Sequence, residues 1–327
     1  NPDAFNLGGP ALVSLINASQ LLDKNDFEVC YYGGAGNDQA ADLILQLAGK
    51  TPLSISNYKK TGNKTTPFTH VFSDPGYDNN QGERSFINNI GAAWDYSPEL
   101  LDDNFFKANI ACFGGTALVP QIHDNLTELL AKAKANNCIT VVNTVFDFRN
   151  EKKNPDQPWP LGNTLKSYKL IDLLIMDSEE AKKISGCKTI EEAALHFADH
   201  NLSAFIITNG AKELFAFSNG SLFQKTDLFT LPVSNKIADD IISNQDLKCD
   251  TTGCGDNFAG GAIASLAWQL KSSRNDKLDL LDAISWAVAS GGFACFYVGG
   301  TYFEDASFEK LSKIEKYKND YSKQISK

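Results

Sequence analysis

From about residue 109 onward, short runs of apolar residues alternate with stretches of helical character, and this alternation leaves the chain few architectures. NIACF (109–113), ITVVN (139–143), IDLLIM (171–176) and AFIIT (204–208) each read as a strand that is apolar along most of its length. A strand of that kind is buried on both faces. Between the strands lie DNLTELLAKAKANN (124–137), SEEAKKIS (178–185) and IEEAALHFADH (190–200), all patterned as helices. Gly186 stands where a glycine ends the second of these, and Thr189 with Glu192 forms a T-x-x-E capping box for the third. Buried strands separated by helices predict a mostly parallel sheet covered on both sides: an α/β fold of three layers, α/β/α.

The stretch from Thr51 to Asn89 behaves differently. SISNY, TPFTHVF and RSFINN are short runs of β-branched, polar and aromatic residues, with PGYDNNQG between the last two. We expect a few antiparallel strands inserted near the start of the α/β body, forming a small lid within about 51–93. One domain then spans residues 1–327. RNEKKNPDQPWPLGN (149–163) reads as a loop ordered by Trp159.

Of 327 residues, 43% are hydrophobic and 21% charged, which is ordinary for a soluble protein. The longest apolar stretch, Phe258 to Leu270, is too short and too rich in small residues to span a bilayer. The net charge of −10, without a block of Lys and Arg, argues against nucleic acid. It does not argue against a phosphorylated small molecule, because helix N-termini and a divalent cation supply local positive potential. The seven cysteines are scattered and include no CxxC, a pattern of reduced thiols that predicts a cytoplasmic protein.

The densest chemistry lies in DTTGCGDNFAGGAIASLAWQL (250–270). Its glycines sit at a junction leading into a helix, where the N–H groups of Gly253, Cys254 and Gly255 would be unpaired donors at the positive end of the helix dipole. Phosphoryl transfer depends on such positioning and electrostatic stabilisation. Asp256, just inside the first turn, could accept a proton from an attacking hydroxyl, help worth ~10²–10⁴ in rate. The plainer reading is a strand-to-helix turn with an acidic cap.

D-T-T-G-C-G-D resembles the C-terminal signature of the PfkB, or ribokinase-like, family of sugar and nucleoside kinases. Other segments agree in order: Gly8-Gly9 opening a helix, YYGGAGNDQAA (31–41), GERSFINNIGAA (82–93), LLIMDSEEAKKISG (173–186) and IITNGAKE (206–213). The resemblance covers nearly the whole chain. It implies an ATP-dependent kinase that phosphorylates a hydroxyl of a small sugar or related polyol, with Mg2+ as cofactor. Asp256 would be the catalytic base, and Gly253, Cys254 and Gly255 the anion hole. Gly8, Gly9 and Arg149 would lie at the substrate, with Val13 at a position where the family usually has a sugar-contacting Asn. Glu180 would organise magnesium through water. Asp177, Thr208 and Gly210 would border the nucleotide. Asp250 and Thr252 would help hold a monovalent cation such as potassium, as in some members. The lid could pair across a homodimer.

Several positions depart from the family pattern. Besides Val13, Asp177 replaces the Asn of N-x-x-E, Asp147 occupies an Asn position in VFDFR (145–149), and Glu213 follows Lys212 in place of Gly. The family's first strand and its substrate-binding acid would lie ahead of Asn1. Two alternatives therefore stand beside the sugar kinase: a nucleoside kinase of the same fold, and a catalytically weak member acting as a binding protein. His196 and His200, spaced i, i+4, are expected to be a solvent-facing pair rather than metal ligands. Trp94 and Trp286 are expected to pack in the core, and the Cys254 thiol to be inert.

Overall fold

The apolar runs line up in one sheet. The computed structural model describes residues 5–74, 83–163, 165–244, 251–272 and 277–326. In chain order its strands are β1 (Cys30–Ala35), β2 (Ser54–Lys60), β3 (Phe68–Asp74), β4 (Glu83–Asn89), β5 (Ile110–Gly114), β6 (Ile139–Asn143), β7 (Leu173–Asp177), β8 (Ala204–Thr208), β9 (Leu214–Ser218) and β10 (Thr226–Leu231). Strands β5 to β10 form a six-stranded sheet ordered β10-β9-β8-β7-β6-β5. Its β5–β8 portion is parallel, and β9 and β10 continue it antiparallel.

Successive residues of these strands feed opposite cores, as the two-residue period of a strand requires. Val141, Leu173, Ile175, Ala204 and Ile206 join the core beneath the helices Cys254–Ser272 and Leu280–Phe293. Val142, Leu174, Met176, Phe205 and Ile207 join the core beneath Leu126–Ala135, Ser178–Ser185 and Ile190–Asp199. The three layers expected from the apolar runs follow from this division.

The small residues of NFAGGAIAS have a packing role. A Cβ on Gly260 would stand 2.4 Å from the Ser14 carbonyl of the helix Pro10–Leu21, and one on Gly261 would stand 2.5 Å from Ser290 Oγ. Cys254–Ser272 therefore approaches both neighbouring helices at backbone distance, and its N-terminus is held between them.

The lid differs from the expectation in one respect. β3 and β4 are an antiparallel ribbon, but β2 pairs in parallel with β1, across the helix Gln39–Ala48. A parallel pair needs a crossover of about a dozen residues, so β1 belongs to this part of the fold although it precedes residue 51. The segment PGYDNNQG lies outside the described residues. The 149–163 run also contains more order than a loop, beginning with a helix, Phe148–Lys153, capped by the Asp147 carboxylate on the Asn150 amide. Trp159 does anchor this run, 3% exposed with its indole N–H on Glu151. Trp94, expected in the core, is 43% exposed, whereas Trp286 is buried against Trp268.

Candidate active site

The site gathers at the carboxyl ends of the parallel strands, where open α/β sheets bind ligands. β6 ends at Asn143, which is 8% exposed, and is followed by Thr144. β7 ends at Asp177, in register with Thr208 at the end of β8. Over this edge the helix Cys254–Ser272 begins, with Asp256 in its first turn.

Gly253 shows why the junction needs glycine. Its φ is +81°, and a Cβ there would stand 2.5 Å from the Gly300 Cα. At Gly255 a Cβ would meet nothing within 4 Å, so this side of the helix start opens onto free space. Of the expected donors, the Cys254 N–H reaches back to the Thr251 carbonyl in a long 3.3 Å bond. Cys254 Sγ lies 3.6 Å from Cys295 Sγ.

Asp256 keeps part of its surface open, yet dense protein surrounds its carboxyl. Desolvation pushes its pKa up to about 7, and a hydrogen bond with Asn143 offsets part of that rise. A carboxyl near neutrality in this position can exchange a proton with a hydroxyl.

Glu180 is 8% exposed and forms a reciprocal capping box with Asp177, whose carboxylate accepts from the Glu179 and Glu180 amides. The Glu180 Oε2 accepts from the Thr144 hydroxyl at 2.5 Å and the Asp177 amide at 3.1 Å. Burial raises its pKa, and the negative charges of Asp177 and Asp256 raise it further. The charges of Asp177 and Asp256 thus both bear on Glu180. A carboxylate pair such as Asp177 and Glu180 suits Mg2+, which takes one or two carboxylates and leaves room for waters and phosphates.

The remaining expected residues divide. Gly8 and Gly9 are exposed at the head of the helix Pro10–Leu21, Gly9 with φ +93°, and a Cβ on either would meet nothing. The chain can therefore take a ligand against bare backbone there. Gly210, φ +60°, is likewise open, and the Thr208 hydroxyl makes a long 3.5 Å contact to the Met176 carbonyl. Val13 is corrected: at 1% exposure it packs beneath Gly300 and presents no surface to a substrate. Arg149 is engaged elsewhere, its guanidinium bound to Asp124 through both terminal nitrogens. Asp250 lies outside the described residues, so its pairing with Thr252 around a cation has no structural account. His196 and His200 stack on each other beside Tyr168, half-buried rather than facing solvent, and no group of three metal-ligating side chains occurs among the described residues.

The sequence reading missed Asn143 and Thr144. Their only signal was position, directly after an apolar strand at the edge where ligands bind.

Against known proteins, residues 4–306 match the pfkB family carbohydrate kinase description. The chain belongs to the PfkB family. This PfkB-family chain is 25% identical to an adenosine kinase of Schizosaccharomyces pombe over 314 residues, 91% of this chain and 82% of that protein. Its fold matches an adenosine kinase from Sinorhizobium meliloti with a TM-score of 0.72 at 15% identity, covering 96% of this chain and 84% of the other. A fructokinase with bound ATP from Xylella fastidiosa matches with a TM-score of 0.70 at 18% identity, covering 96% and 91%. The kinase is an ATP-dependent phosphotransferase acting on a hydroxyl of a small sugar or nucleoside. No helix among its described residues is long and apolar enough to cross a membrane.

Proposed function

We propose that Asp256 is the general base of this kinase and that the helix start at Gly253, Cys254 and Gly255 stabilises the transferring phosphoryl group. The observation that carries this reading is a carboxyl poised near neutrality at the open, positive end of a helix. The acceptor hydroxyl sits between Asp256 and the γ-phosphate and loses its proton to Asp256 as it attacks. Asn143 orients the carboxyl. Gly8 and Gly9 support the acceptor, and Thr208 and Gly210 border the nucleotide. Asp177 and Glu180 would hold Mg2+, which supplies positive charge to the phosphates when bound. A monovalent cation at Asp250 and Thr252 rests on family resemblance alone.

The acceptor in this reading is a sugar or related polyol. A nucleoside is the second reading, favoured by the adenosine kinase relative and by the apolar lid. Phe68, Phe72 and Ile87, which share one face of the β3–β4 ribbon, are each at least 44% exposed. That face could cover a base. The opposite face carries Val71 and Phe86, also exposed, and is suited to pairing two copies through their lids.

The test is phosphate transfer from Mg-ATP across sugars, sugar acids, polyols and nucleosides, with Asp256→Asn in parallel. We expect turnover of one sugar-like compound and a loss of about a hundredfold or more in the variant. Turnover confined to a nucleoside would replace the first reading by the second. Equal activity of wild type and variant would reduce Asp256 to a helix cap.

A further inference from the structure

A second ionisable group lies behind the helix start, on the side away from the open space at Gly255. Lys310, near the N-terminus of the helix Glu309–Ile325, is 0% exposed. Its Nζ donates to Asn257 Oδ1 at 2.9 Å and to Gln20 Oε1 at 3.1 Å. Among the described residues no carboxylate closes into an ion pair with it. Glu304 is the nearest acidic influence, and its Oε1 accepts from the Lys310 backbone N–H at 2.8 Å. An ammonium removed from water without a paired anion is costly, and burial pulls the Lys310 pKa down to about 7.

Asn257 carries the connection forward. It is 0% exposed and directly follows Asp256. Its Nδ2 donates to the Gly253 carbonyl at 2.9 Å and to the Gly300 carbonyl at 2.8 Å. Its Oδ1 accepts from Lys310 and from the Tyr297 hydroxyl, the latter at 3.2 Å. The amide can sit only this way round, since carbonyls only accept and an ammonium only donates. The same two carbonyls belong to the residues whose backbones meet where Gly253 needs to be glycine.

We propose that Lys310 is a positioning residue for phosphoryl transfer, acting through Asn257 to fix and polarise the peptide that leads from Gly253 into the anion hole. The bonds run head to tail: Lys310 N–H to Asn257 Oδ1, Asn257 N–H to Gly253 C=O. That carbonyl shares its peptide with the Cys254 N–H. Each bond polarises the next in the same sense, so positive potential is delivered to the Cys254 N–H, whose bond to the Thr251 carbonyl is long at 3.3 Å and would yield to an arriving phosphate oxygen. The buried charge finds its counter-charge when the phosphoryl group arrives. This inference rests on the reading of Asp256 and the Gly253 junction as the catalytic site.

The test is steady-state kinetics of the full chain with Mg-ATP and D-ribose, D-fructose or adenosine as acceptor. Wild type is compared with Lys310→Met, Lys310→Gln and Gln20→Met, and rates are normalised to folded protein by circular dichroism. Lys310→Gln removes the charge and keeps a hydrogen-bond donor on a slightly shorter side chain. Gln20→Met removes the ammonium's other partner and leaves Asn257 alone. We expect both Lys310 variants to lose tenfold or more in kcat with KM for ATP and acceptor within threefold of wild type, and Gln20→Met to keep kcat within threefold. A Lys310→Gln enzyme with wild-type kcat would overturn the proposal. So would a loss in kcat matched by Gln20→Met, or failure of both Lys310 variants to fold, because each marks a merely structural role. If wild type turns over none of these acceptors while another compound is phosphorylated, the comparison is made with that compound. A wild type silent towards every acceptor overturns the kinase reading and this proposal with it.

Discussion

Asp256 is held against its own ionisation. Its pKa is raised, so the fold prefers the neutral acid. The associated stability is fully present below the unfolded-state pKa and is lost as pH rises through about 7. Glu180 has the same sign. The proposed role as general base needs the opposite protonation state, since only the carboxylate accepts a proton. We therefore expect kcat/KM to fall on the acid side with an apparent pKa near 7, measured in a constant-ionic-strength buffer series. At pH 8 Asp256→Asn should melt about 2–4 °C above wild type by differential scanning fluorimetry. A variant that melted lower would show that the carboxylate is structurally required. The glycine at 253 was legible as special from the motif. That its neighbour is the Gly300 backbone was not, because residues 47 apart meet only in the folded chain.

The helix Ser178–Ser185 illustrates an element that sequence reading defines almost completely. Its bounds and its terminal Gly186, φ +74°, occur where the residue types place them, and the structure adds a capping box of Asp177 with Glu180 that the sequence reading did not assign. Asp177, a departure from the family's Asn, is its cap and at the same time a charge beside Glu180. Asn caps a helix about as well as Asp. Asp177→Asn should therefore leave the melting temperature at pH 8 unchanged or slightly raised and shift the pH dependence of Mg2+ affinity to lower pH, because Glu180 loses a neighbouring negative charge. Isothermal titration with Mg-ATP across pH checks this. A fall in stability of about 1 kcal/mol would mean that the cap itself was lost. The helix Cys254–Ser272 is the counter-example. The sequence reading gave its start an anion-binding role and assigned nothing to Gly260 and Gly261, which serve contact with other helices.

For the molecule as a whole, the β3–β4 ribbon exposes apolar side chains on both faces, and one acceptor can cover only one of them. We expect the chain to dimerise through the lid, with light scattering giving twice the monomer mass. Phe72→Asp and Phe86→Asp, on opposite faces, should separate the roles: one returns a monomer, the other weakens acceptor binding. A monomeric wild type would sink this reading. Runs of apolar residues, caps and a seven-residue signature are local patterns, and local patterns were enough for the three layers, the helix ends and the junction carrying Asp256. Long-range pairing was not available from them. The parallel union of β1 with β2, the burial of Val13 beneath Gly300, the capture of Arg149 by Asp124 and the Lys310–Asn257 bond each join segments with no local signal for one another. Residue type tells what a side chain can do; which partner it meets depends on how the packed layers bring distant segments together.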